Sequence, residues 1–186
     1  MHIPIAQPSL GNEENNAVLA VLASGMIAQG PVTAAFEDEF AAYCGVPHAV
    51  AVSNGTTALH AALLAAGVGP GDEVVVPAFT FFATASSVSM CGAVPVFADV
   101  DPATATIDPA DILAKVTPKT KAVIGVHLYG QPCDAGVVRD ICDEKGLIFI
   151  EDAAQAHGAE YRGKRAGALG DLACFSFYAT KNLATG

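Results

Sequence analysis

Val74–Ala98 reads "VVVPAFTFFATASSVSMCGAVPVFA", 25 residues without a single charge and nominally long enough to cross a bilayer. Its punctuation points elsewhere. Pro77, Gly92 and Pro95 interrupt the run near both ends, and Thr80, Thr84, Ser86, Ser87 and Ser89 scatter hydroxyls through its middle. These breakers divide it into pieces of ordinary element length: a strand, a helix over Thr80–Cys91 and a second strand, all buried in a globular core.

The same alternation continues on both sides. Short apolar runs of strand length (Ala49–Val52, Glu73–Val76, Val94–Ala98, Ala122–Val126, Leu147–Ile150, Ala173–Phe175) are separated by segments with helical spacing (Val32–Tyr43, Thr56–Ala66, Thr80–Cys91, Pro109–Val116, Asp134–Lys145). Gly67-Val68-Gly69-Pro70-Gly71 ends one helix, and Asp108-Pro109 reads as an N-cap followed by proline at the first helical position. No repeat, charge block or low-complexity linker divides residues 1–186. Strands buried on both faces and joined through helices predict an α/β fold with a mostly parallel sheet, whose ligands bind at the carboxyl ends of the strands.

Composition narrows the chemistry. A formal charge of −10 with nine Lys and Arg and no basic run argues against a nucleic-acid surface and for small-molecule work. Cys44, Cys91, Cys133, Cys142 and Cys174 include no C-x-x-C pair, so they read as reduced core thiols and not as a disulfide framework or zinc ribbon. The N-terminal stretch "MHIPIAQPSLGNEE" lacks a basic region and a long apolar segment, which predicts a cytoplasmic protein with neither a secretion signal nor a membrane span.

Four strand ends carry candidate chemistry. At Ser53-Asn54-Gly55-Thr56-Thr57 a glycine, a helix start and two hydroxyls suit a phosphate, although an ordinary capped turn explains the same residues. In "LIFIEDAAQAHG" a strand runs into Glu151-Asp152. Successive side chains on a strand point to opposite faces, so only one carboxylate can enter a site, and Asp152, at the turn, is the better placed. An N-cap for the following residues is the plain alternative. Phe79, Phe81 and Phe82 lie near the same rim, where one ring could stack on a flat cofactor while one or two belong to the core. Finally, "FSFYATKNLATG" (Phe175–Gly186) places Lys181 just past a strand end, 29 residues after Asp152. A desolvated lysine can be neutral and form an imine. Phosphate cradle, aromatic plate, carboxylate and lysine together match the needs of pyridoxal phosphate (PLP).

"SNGTTALHAAL", "VVPAFTFFATASSV", "VFADVDP", "VHLYGQP", "IEDAAQAHGAEYRGKRAGALGD" and "CFSFYATKNLATG", in this order, resemble the N-terminal half of the DegT/DnrJ/EryC1/StrS family. The resemblance covers essentially the whole chain. It implies the three-layer large domain of the type I (aspartate aminotransferase) PLP fold, incomplete at its C-terminus, with the small C-terminal domain absent. It implies PLP-dependent transfer of an amino group, from L-glutamate as donor to a keto sugar nucleotide, in a homodimer with a shared active site. By position, Lys181 matches the Schiff-base lysine, Asp152 the partner of the pyridine nitrogen, and Gln155 a residue near the ring's phenolic oxygen. Ser176 with Gly55, Thr56 and Thr57 matches the phosphate ligands, and Phe81 the stacking aromatic. Family members with histidine in place of the lysine dehydrate their substrates, so Lys181 favours transamination.

Other conspicuous residues carry weaker readings. Asp99 and Asp101 form a turn signature of the family and no metal site is expected. His127 and His157 read as structural histidines with a possible place in the pocket, and Arg162, Lys164 and Arg165 as a solvated turn. A cyclitol or another ketone is the alternative acceptor. The stop at "NLATG" favours a fragment of a full aminotransferase over a short non-catalytic module that binds cofactor or dimerises.

Overall fold

The computed structural model describes residues 6–185; Met1–Ile5, the start of the N-terminal stretch read above, and Gly186 lie outside them. Among the described residues seven strands form in chain order: β1 (Glu73–Pro77), β2 (Val94–Ala98), β3 (Thr120–Val126), β4 (Ile148–Asp152), β5 (Glu160–Tyr161), β6 (Lys164–Arg165) and β7 (Leu172–Cys174). Six α-helices accompany them: α1 (Asn12–Ser24), α2 (Pro31–Cys44), α3 (Gly55–Ala65), α4 (Ala83–Met90), α5 (Pro109–Lys115) and α6 (Ala135–Lys145). The main sheet has the order β2-β1-β3-β4-β7, with every neighbouring pair parallel. β5 and β6 make a separate antiparallel ribbon.

The central strands β1, β3 and β4 are largely apolar on both faces because each face meets helices, whereas the edge strand β2 leaves Val94 and Phe97 exposed. Val74, Val76, Ala122, Ile124 and Ile150 pack with Leu59 and Leu63 of α3 and Val88 of α4. Val75, Val123 and Phe149 point the other way, onto Ile112 of α5 and Val138 and Ile141 of α6. The sheet is therefore the middle of three layers, and parallel strands need that double cover. The uncharged Val74–Ala98 run resolves into β1, α4 and β2. Among the described residues no helix is long and apolar enough to cross a membrane.

Local chemistry sets the element ends. Asp108 accepts the Ala110 N–H at 2.9 Å and Pro109 occupies the first position of α5, as its sequence predicts. All five cysteines are free and buried, and burial pushes the Cys133 and Cys142 thiols up to about 12.

Two segments differ from expectation. Ala49–Val52, read as a strand, belongs to no strand of the sheet. Ladder bonding needs a neighbour, and an open groove of about 1140 Å³ lies between this segment and β7. Ala51 instead donates its N–H to Glu37 Oε1 of α2 at 2.7 Å, and Val50 is 77% exposed. Conversely, Asn12–Ser24 forms a helix that the apolar pattern does not announce, since none of its residues is buried.

One side chain organises the approach to β7. Glu151, fully buried on β4, accepts the N–H groups of Gly167 (2.8 Å), Leu169 (2.8 Å) and Gly170 (2.7 Å), and its Oε2 lies 3.0 Å from His127 Nε2. His127 Nδ1 accepts the Cys133 N–H at 3.2 Å, so the proton sits on Nε2 and is donated to the carboxylate. Glu151→Ala strands all these donors in the core. We expect it to cost roughly 3 kcal/mol or more, read as a lower urea midpoint, with Glu151→Gln in between.

Candidate active site

The strand period decides which carboxylate faces the site. β4 extends through Glu151 and Asp152, so the two side chains leave opposite faces of the sheet. Glu151 is saturated by four donors. Asp152, 7% exposed, receives two: Thr84 Oγ1 donates to Oδ2 at 2.9 Å, and the Ala154 N–H to Oδ1 at 3.2 Å. The turn bond expected of a capping aspartate is thus present, yet no helix follows it. Thr84 is itself fully buried, and with its own proton given to Asp152 it accepts one from Thr80 Oγ1 at 3.0 Å. No basic side chain among the described residues pairs with Asp152 at salt-bridge distance. Burial raises its pKa above the usual carboxylate value, against the opposing pull of Thr84, Ala154, His127 and Lys181.

The start of α3 meets the segment after β7. Asn54 caps α3: its Oδ1 accepts the Thr57 N–H at 2.8 Å and the Thr57 hydroxyl at 3.1 Å. The plain capping explanation therefore holds for Thr57, whose donors are spent inside the turn. The N–H groups of Gly55 and Thr56 at the first helical positions, and the Thr56 hydroxyl, keep no partner among the described residues. A Cβ placed on Gly55 would sit 2.9 Å from Ser176 Cβ and 3.4 Å from Ser176 Oγ. Glycine is what lets the start of α3 touch the segment after β7.

Gln155 and Lys181 complete the group. Gln155 Oε1 accepts the Tyr129 N–H at 2.7 Å, which orients the amide and leaves Nε2 as a free donor. Tyr129 holds a left-handed backbone (φ 55°, ψ 24°), uncommon for a residue with a Cβ, and its ring is exposed. Lys181 is half-buried in the turn after β7, its N–H bonded to the Tyr178 carbonyl at 2.8 Å and its amine in no ion pair among the described residues. Its charge reaches Asp152.

Phe81 stands on the turn between β1 and α4, its ring 4.6 Å from that of Phe82. Neither it nor its neighbours are core: Phe79, Phe81 and Phe82 are 50%, 59% and 69% exposed. The core beneath them is filled by Val74, Val76 and Val88, so the expectation that one or two of these rings pack inside is corrected. Thr84, Thr80 and Tyr129 escape the motif reading. Only the buried position of a hydroxyl in α4 could have flagged Thr84, and burial is a tertiary fact.

The DegT/DnrJ/EryC1/StrS aminotransferase family model matches residues 8–186. The chain belongs to this family. It is 50% identical over 185 residues to a GDP-perosamine synthase of Caulobacter vibrioides, covering 99% of this chain and 50% of that protein. Among solved structures, S. venezuelae DesV in complex with a ketimine intermediate superposes with a TM-score of 0.91 at 48% identity, covering 92% of this chain and 46% of the other. Spr1654 from Streptococcus pneumoniae in its PLP form gives a TM-score of 0.96 at 33% identity, over 99% of this chain and 51% of the other. The chain spans about half the length of the relatives it matches. The α/β architecture with a parallel sheet is that of these aminotransferases, and the family points to PLP as cofactor.

Because its folded pKa is raised, Asp152 favours the chain most below the unfolded value of 3.8, and that contribution is lost as pH rises through the folded pKa. Cofactor-free Asp152→Asn, which does not titrate, should therefore gain stability relative to the parent as pH rises through this window and then level off. Urea midpoints from pH 4 to 8 check it; a parallel pair of curves would contradict it.

Proposed function

We propose that the full protein transfers the amino group of an amino acid, L-glutamate, to a keto sugar carried on a nucleotide, using PLP held between Asp152, Lys181 and the start of α3. Donor and acceptor exchange an amine for a carbonyl oxygen, leaving a 2-oxo acid and an amino sugar. The resemblance to nucleotide-sugar enzymes supports this acceptor class, and the proposal includes a homodimer with a shared site. The observation that carries the reading is the buried Asp152 carboxylate, hydrogen-bonded but with no cation at ion-pair distance among the described residues. Such a group costs stability unless a proton-bearing partner arrives.

The residues present fit the cofactor. Gly55 and Thr56 offer free N–H groups at a helix start, a ready anion site, and Ser176 touches Gly55. Asp152 would keep a ring nitrogen protonated, with Thr84, itself bonded to Thr80, holding Oδ2 and the Ala154 N–H holding Oδ1. Gln155 Nε2 would donate to the phenolic oxygen, and Phe81 would cover the ring face. Of the predicted phosphate ligands, Thr57 acts through Asn54 and the cap, holding the turn's shape. Bound PLP supplies an electron sink for the charge left when the donor's α-proton departs. Lys181 anchors the cofactor covalently, and its amine, once free, is the base that takes that proton from the α-carbon. The absence of an ion pair leaves its side chain able to do both.

Treating the full protein with PLP and then borohydride should leave a stable label on Lys181, located by peptide mass spectrometry. Lys181→Ala should lose the label and lower 2-oxoglutarate release from glutamate, with a nucleotide-linked keto sugar present, by about 10²–10⁴-fold or more. Label on another lysine, or wild-type turnover in Lys181→Ala, would overturn the assignment.

A further inference from the structure

His157 lies outside the set of residues given a role above, yet it touches both flanks of the segment that carries Ser176 and Lys181. Its ring sits 5.3 Å from that of Phe175 and 5.1 Å from that of Phe177, the two neighbours of Ser176. Its Nδ1 is 2.8 Å from Asn182 Oδ1, while Asn182 Nδ2 donates to the His157 carbonyl at 3.1 Å. With Nδ2 identified as the amide's donor, Oδ1 can only accept, so the proton of His157 is on Nδ1. Asn182 is the residue after Lys181, and His157 therefore holds the side chain of the lysine's immediate neighbour at two points.

The position of His157 is itself fixed. Gly158, with φ at 76°, lies so close to α2 that a Cβ there would meet the Tyr43 hydroxyl at 2.6 Å. Phe36 and Phe40 of α2 close the cluster, the first edge-on to Phe177 at 5.2 Å and the second edge-on to Phe175 at 4.9 Å. The remaining nitrogen, Nε2, is buried and without a partner among the described residues.

We propose that His157, through its two-point clasp on Asn182, is a positioning residue that sets where the Lys181 amine meets the cofactor's aldehyde. The inference rests on the function proposed above. Lys181 has a long flexible stem, and a turn free to drift by about 1 Å would misplace its amine enough to slow bond formation by up to about 10²-fold. The backbone bond from Lys181 to Tyr178 fixes one side of this turn, and the clasp fixes the other.

The test separates placement of the amine from construction of the pocket. Condensation of the Lys181 amine with the PLP aldehyde expels one water, and borohydride then delivers hydride to the resulting carbon–nitrogen double bond, so the rate of trapped label reads amine placement. Pyridoxamine phosphate, which carries an amine instead of the aldehyde, reads the rest of the pocket without that bond. In the full protein, Asn182→Ala, at an exposed position that threatens folding little, should slow labelling of Lys181 by about tenfold or more while leaving pyridoxamine phosphate affinity unchanged. His157→Gln should do the same, and the double variant should be no slower than the worse single one, since both remove one clasp. Unchanged labelling, parallel loss of pyridoxamine phosphate affinity, or additive effects would overturn the inference. If the parent protein itself neither takes label nor binds pyridoxamine phosphate, the proposed function fails first.

Discussion

The two-residue period of one strand does most to organise this molecule. β4 ends in adjacent buried carboxylates, and the pleat sends them to opposite faces. Neither can stay in the core unpaired. Glu151 solves the problem within the chain, collecting three backbone N–H groups and a histidine, and in doing so it folds the 167–170 turn that starts β7. Asp152 is left with two donors and a raised pKa. The contrast between a saturated and an under-satisfied neighbour distinguishes framework from site more sharply than the motif that contains both.

That contrast also sets a tension between stability and function. The same desolvation that destabilises ionised Asp152 makes it a strong partner for a protonated ring nitrogen, because a charge pair gains most where water is excluded. The Thr80–Thr84 relay keeps the carboxylate aimed without neutralising it. A lysine or arginine in the place of Thr84 would relieve the cost and fill the role that the reading assigns to the cofactor.

Much of the fold was legible in the sequence where chain breakers are strong. Val94–Ala98 is the strand expected, and Pro109 opens the helix expected, because glycine and proline act on the backbone they occupy. Ala49–Val52 has the composition of a strand but lacks a neighbour to bond, and no local pattern reports a missing neighbour. Of the candidate site, Asp152, Gln155, Ser176 and Lys181 could be proposed from sequence because each sits in a contiguous motif. Thr84 was not, since its bond to Asp152 spans 68 positions. Tyr129 was hidden by a left-handed backbone at a residue type that rarely adopts one, and the Phe79–Phe82 rings misled because apolar residues at a strand end look alike whether they fill a core or line a rim.

Lys181 shows how such a site reconciles two demands on one side chain. In the proposed function it would, as anchor, have to return to the same point, which calls for rigidity, and, as a base, leave that point and reach a proton elsewhere, which calls for freedom. The structure divides these between backbone and side chain. Tyr178 and Asn182 hold the turn on either side of the lysine, while its amine carries no ion pair among the described residues that would restrain it. A salt bridge to Asp152 would have satisfied both charges at once and left neither free to act, so the under-satisfied carboxylate and the unpaired amine are two parts of one arrangement.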